Sequence, residues 1–133
     1  MLEKALILAA KAHTGQVDKG GAPYILHPIR VMLACEGEKE KIVALLHDTL
    51  EDTALTAADL RRAGFPEEIV QAVCCLTRGQ KEDYMEYIAR ICKNALAARV
   101  KYADLQDNLD IRRIPNPTER DFARIRKYEQ AMK

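Results

Sequence analysis

Four ionisable side chains, His47, Asp48, Glu51 and Asp52, fall within six residues, directly after the apolar run Ala44-Leu45-Leu46. At roughly 100° per residue, a helix here would carry all four on one broad face. His47 would then lie one turn below Glu51, and Asp48 one turn below Asp52. Val43, Leu46 and Leu50 form an apolar stripe beside them. An imidazole and three carboxylates on one side of such a helix invite repulsion and desolvation cost. A bound divalent cation is the simplest group that would offset both.

The chain has three histidines, His13, His27 and His47. His27 follows a Gly-rich loop and opens a predicted helix, where a side chain can point into a cleft. From spacing alone the balance tips slightly towards a helix-start or core histidine. Glu51-Asp52 extends the acidic face, or is a solvated helix end, although the macrodipole disfavours acids there. Lys101, Asp104 and Asn108 share a helix face among Val100, Tyr102, Leu105 and Leu109. Asp104 in that setting is a candidate buried acid, or one half of an intrahelical pair with Lys101.

Two imidazoles with two carboxylates make a mixed nitrogen and oxygen site. That donor set suits Mn²⁺, Fe²⁺ or Zn²⁺ better than Ca²⁺. Such a metal lowers the pKa of bound water and clamps a phosphoryl oxygen. Glu51 and Asp52, one turn beyond, are placed to move protons.

The elements that must position these groups read as helices throughout. Residues 2–13 carry Leu2, Ala5, Leu6, Ala9 and Ala10 at helical spacing. Residues 14–23 hold three Gly and a Pro and form a loop. A helix starts near Tyr24 or His27, tolerates Pro28 in its first turn and runs to about Cys35. The His47 helix spans about 39–51. Thr56 caps a short helix over 57–63 that ends at Gly64. Pro66 opens another, with Ile69, Val70, Val73, Cys74 and Leu76 inward. Residues 78–83 are a loop, and 84–93 and 95–110 two more helices. Asn116-Pro117-Thr118-Glu119 starts a charged terminal helix to Lys133. Strand alternation is absent. The expectation is an all-α single domain over residues 1–133, with seven or eight helices.

A chain of 133 residues, 48% apolar and 31% charged, has room for one compact core. A net charge of +1 argues against nucleic-acid and membrane-surface partners. Cys35, Cys74, Cys75 and Cys92 form no C-x-x-C pair and read as free thiols. No signal peptide or bilayer-length apolar run is evident, so the cytoplasm is the expected location.

Four segments together resemble the HD superfamily of metal-dependent phosphohydrolases, and more narrowly the hydrolase domain of the RelA/SpoT family. They are Ala12-His13-Thr14-Gly15-Gln16, Pro23-Tyr24-Ile25-Leu26-His27-Pro28, Leu45 through Asp52, and Lys101-Tyr102-Ala103-Asp104 with Asn108. They occur in family order. The resemblance implies a helical bundle around a central metal pocket. It implies His27, His47, Asp48 and Asp104 as ligands, usually for one Mn²⁺, and Glu51 with Asp52 as the pair that activates water. It also implies Asn108 and Lys19 as substrate contacts. The reaction implied removes the 3′-diphosphate of guanosine tetra- or pentaphosphate. Asp18, Asp110 and Ile111 depart from the family pattern in the substrate region, so base preference stays open. Two alternatives stand beside this reading. One is an HD-type hydrolase of another nucleotide or phosphoester. The other is a non-catalytic nucleotide-sensing module. His13 and Gln16 read as loop braces, Tyr24 as packing beneath the site in preference to approaching the ligand, and Arg112, Arg113, Arg120, Arg124 and Arg126 mostly as a solvated face with phosphate contacts as the alternative. Asp107 has no assigned role, and oligomeric state is not legible.

Overall fold

A computed structural model of the chain describes residues 1–109 and Ala123. The predicted terminal helix after Asn116, the five arginines above, Asp110 and Ile111 lie outside the described residues. Among those described, the architecture is all-α, with eight helices in the order α1 (Leu2–Ala12), α2 (Leu26–Ala34), α3 (Glu38–Leu46), α4 (Thr49–Asp52), α5 (Ala57–Arg62), α6 (Glu67–Cys75), α7 (Tyr84–Ile91) and α8 (Ala95–Asn108).

The core gathers around α3, which packs against α1, α2, α6 and α8. Its last five residues, Ile42 to Leu46, are buried, and Val43, Ala44, Leu45 and Leu46 have no exposure at all. A helix apolar on every side belongs at the centre of a bundle. Each large apolar side chain buried here contributes about 1.5–3 kcal/mol. From α8, Ala97, Val100 and Ala103 face this core, and from α1 Ala5 and Ala9 do. Small residues at the contact let the flanking backbones come close.

Several local stops follow the expected chemistry. Thr56 and Asp59 form a reciprocal capping box at the start of α5. Gly64 ends that helix at φ +94°, a left-handed conformation that favours glycine. Asn94 caps α8 by accepting from Ala97 N at 3.0 Å. The four cysteines are free thiols.

The main departure lies at the centre. The expected single helix over 39–51 is broken at His47-Asp48. His47 Nδ1 sits 2.5 Å from Ala44 O, and Thr49 Oγ1 donates to Leu46 O at 2.7 Å. Two side chains thus take up carbonyls at the end of α3, while Asp48 adopts φ −100°, ψ −1°. The chain resumes as the single turn α4. The four ionisable groups therefore do not lie on one continuous helix: His47 is buried, Asp48 half-buried, and Glu51 and Asp52 exposed.

The 78–83 loop is tied down by Arg90. Its Nε and Nη2 each donate to Glu82 at 3.0 Å, and Nη1 and Nη2 reach Cys75 O and Thr77 O at 3.0 and 3.2 Å. The Arg90 fork, with the Gly79 amide, holds the Glu82 carboxyl down at about 2. A carboxyl depressed on folding stabilises the protein above its ordinary value, and that contribution is lost as pH falls towards the folded value. Glu82→Gln should therefore lower the urea midpoint near pH 6, with the difference shrinking towards about pH 2. Equal gaps at both pH values would refute the linkage.

Candidate metal centre

His27 enters from the first turn of α2, His47 from the end of α3, and Asp104 from the middle of α8. All three are buried, and one ligand atom from each lies within 4.8 Å of the others. Asp104 Oδ1 is 2.7 Å from His27 Nε2 and 3.2 Å from His47 Nε2. The two imidazoles stand edge-on at 5.4 Å between ring centroids. Asp48 completes the predicted set from the side: its Oδ2 lies 3.2 Å from His47 Nε2 and 3.9 Å from His27 Nε2. Residues separated by up to 77 positions are thus brought to one point.

Asp104 is both buried and paired, so the two sequence readings of it hold together. Lys101 Nζ donates to its Oδ2 at 3.0 Å, one turn back on α8, and Asn108 Nδ2 donates to its Oδ1 at 3.2 Å. Burial alone would raise the Asp104 carboxyl, but the Lys101 and His47 charges and the hydrogen bond from His27 hold it well below the usual range. Burial would lower the Lys101 ammonium, but the Asp104 charge and hydrogen bond, together with Tyr87 and Tyr84, push it up. Burial would likewise lower both imidazoles. For His27, hydrogen bonds to Asp104 and Asp107 outweigh it; for His47, the Asp48 and Asp104 charges do, and His47 rises well above its ordinary value. Burial pushes Asp48 up, yet the adjacent His47 keeps it lowered.

These shifts test whether a cation suits the site. The carboxylates draw positive charge onto two buried imidazoles. A divalent ion supplies that charge instead, leaving both rings neutral and their Nε2 lone pairs available. The outer nitrogens are already occupied, His47 Nδ1 by Ala44 O and His27 Nδ1 by Asp107 Oδ2 at 2.6 Å. Both Nε2 atoms face the same carboxylate. The donor set fits a divalent metal.

Two sequence expectations change. Tyr24 does not merely pack beneath the site: its hydroxyl donates to Asp48 Oδ2. Burial and the Asp48 charge raise its phenol far above the ordinary value, so it keeps the proton it donates. Asp107, assigned no role from sequence, holds His27. The signal was available, because Asp104 and Asp107 are three apart and share a helix face.

The remaining predicted residues lie outside the convergent cluster. Glu51 Oε1 accepts from the Arg78 amide at 3.0 Å. Asp52 is raised by partial burial and by the Asp48 and Glu51 charges. Lys19 is exposed on the 14–23 loop. Asp18, one of the departures from the family pattern, has a local role there. Its Oδ1 accepts from Gly20 N and Ala22 N, both at 2.9 Å, and fixes the turn before Gly21 at φ +86°. His13 and Gln16 brace the other end of that loop, His13 Nδ1 lying 2.9 Å from Gln16 Oε1.

An all-α domain with two histidines and two aspartates converging in this way is an HD-type domain. No protein-family model matches the chain. Among curated proteins, it is 30% identical over 94% of its length to a GTP pyrophosphokinase of Myxococcus xanthus. It is 31% identical over 81% of its length to the guanosine-3′,5′-bis(diphosphate) 3′-pyrophosphohydrolase of Aquifex aeolicus, and to the same extent to the bifunctional (p)ppGpp synthase/hydrolase SpoT of Escherichia coli. The chain spans only 17–18% of the length of these relatives. Among solved structures, a metazoan orthologue of SpoT, described as hydrolysing ppGpp, has the same fold. The match has a TM-score of 0.78 at 24% identity and covers 98% of this chain and 82% of that one. The chain is an HD-type domain similar to one part of these RelA/SpoT-type relatives.

Proposed function

We propose that this chain is a metal-dependent pyrophosphohydrolase that removes the 3′-diphosphate of guanosine tetra- or pentaphosphate, as one domain over residues 1–133 working in the cytoplasm. The observation that carries the reading is the convergence of His27, His47 and Asp104, with Asp48 beside them, next to the acidic pair of Glu51 and Asp52. Relatives named for this reaction support the substrate class.

His27, His47, Asp48 and Asp104 would hold the ion, with Mn²⁺ the proposed metal and Fe²⁺ or Zn²⁺ the nearest alternatives. When bound, the ion lowers the pKa of a water and polarises a phosphoryl oxygen. The chain's own groups do the rest. Tyr24 donates to Asp48 and fixes the direction of its carboxylate. Lys101 and Asn108 do the same for Asp104. Asp52, with its raised carboxyl, takes the proton of the attacking water, and Glu51, pinned by the Arg78 amide, braces the pair. Attack on the phosphorus attached to the 3′ oxygen breaks that P–O bond. The proton passes to the 3′ oxygen, and pyrophosphate leaves with GDP or GTP. Lys19 and Asn108 would contact the anionic nucleotide.

One observation favours a second reading with a different nucleotide. Asp18 sets a carboxylate beside Lys19 in the loop expected to meet the substrate, and an added negative charge there disfavours a ligand with two diphosphates. An assay of pyrophosphate release from guanosine tetraphosphate with Mn²⁺ decides between the two. Turnover that disappears with chelator is the expected result. Activity confined to nucleotides lacking a 3′-diphosphate would select the second reading.

A further inference from the structure

We propose that Asp107 is a positioning residue for the metal: it fixes the proton of His27 on Nδ1 and so presents the Nε2 lone pair to the centre. This rests on the metal-site reading above. A neutral imidazole carries one N–H, and the partner of one nitrogen decides what the other can do. His47 solves this locally, with Nδ1 on Ala44 O of its own helix. His27 lies in the first turn of α2, and the carbonyl three residues back, Tyr24 O, accepts from its backbone amide at 2.9 Å. The partner of its ring Nδ1 comes instead from 80 residues later, Asp107 Oδ2 at 2.6 Å. The other carboxylate oxygen of Asp107 accepts from Arg30 Nε at 2.9 Å, three residues beyond His27 on α2. Both oxygens are therefore engaged by one helix, and the Asp107 side chain is only 13% exposed. Asp104 and Asp107, three apart on α8, take the two faces of the problem. Asp104 meets Nε2 with its metal-binding oxygen, and Asp107 holds Nδ1. A carboxylate behind a ligand histidine orients the ring and raises its basicity, and its loss typically weakens metal binding 10–100-fold.

The test uses the full chain, stripped of metal and titrated with Mn²⁺ by calorimetry. Asp107→Asn is close to isosteric and should bind about 10–100-fold more weakly than the parent. Its metal-free melting temperature should stay close to that of Arg30→Ala, which cuts the same α2–α8 tie but leaves Nδ1 its partner and binds Mn²⁺ like the parent. Parent-like affinity in Asp107→Asn overturns the inference, as does equal loss of affinity in Arg30→Ala, which marks a tie between helices only. Independently of any variant, the Zn²⁺-loaded parent should show a His27 Nδ1–H proton shifted downfield and protected from exchange. Rapid exchange of that proton also overturns the inference. Failure of the parent to bind Mn²⁺ at all is a separate outcome, which removes the metal-site reading and this inference with it.

Discussion

Asp104→Asn should abolish Mn²⁺ binding and lower turnover by about 10³-fold or more, equivalent to about 4 kcal/mol of barrier. Asp104 is the group on which the centre closes. Its Oδ1 stands within reach of both imidazoles and of Asn108, and its Oδ2 is bonded to Lys101. The substitution removes a charge as well as a ligand. Lys101 has a side chain only 14% exposed and would lose its counter-ion. Breaking a buried pair by removing one partner costs about 3–5 kcal/mol, a large share of a typical stability of about 5–15 kcal/mol. Loss of activity in this variant must therefore be separated from loss of fold. Asp48→Ala makes the separation, because Asp48 is half-buried and has no lysine depending on it. It should keep the helical circular-dichroism signal and the cooperative melt while losing turnover. Parent-like turnover in Asp48→Ala with Mn²⁺ would sink the assignment of that ligand.

Asp52→Asn should lower kcat by about 10²–10⁴-fold, the range expected of a general acid–base group. Mn²⁺ affinity should stay close to that of the parent, since Asp52 lies outside the convergent cluster. The pH profile gives a second readout. Partial burial and the Asp48 and Glu51 charges raise the Asp52 carboxyl, against the lowering effect of His13 and His47. Activity that requires the ionised carboxylate should fall as pH drops through that raised value, earlier than for an ordinary acid. The Asn variant should lose this acidic limb. Retention of the limb at full kcat would assign proton transfer elsewhere.

The legible and illegible parts of this protein divide along a physical line. Helix types, caps and stops are local, and they were readable: the Thr56 cap, the Gly64 stop, Pro66 ahead of α6 and Pro28 in the first turn of α2 all stand as expected. Residue types also mark the centre, because two imidazoles and two acids in otherwise apolar helices need a reason to be there. The break at His47-Asp48 was not readable. It depends on whether Thr49 Oγ1 and His47 Nδ1 cap carbonyls of α3, a competition that periodicity does not see. Tyr24 and Asp107 were underrated for a related reason, since each acts on a residue 24 or 80 positions away.

The chain by itself determined an all-α domain and the side chains able to build its centre, since helical period and residue chemistry are properties of short stretches; the HD type was carried by the resemblance of four segments to that superfamily. Only the tertiary structure decided that His27, His47 and Asp104 meet at one carboxylate oxygen while Glu51 and Asp52 stand outside the convergent cluster. That outcome follows from packing. The wholly apolar end of α3 must be buried from every side, and covering it with α2 and α8 brings their polar residues to the point where α3 stops.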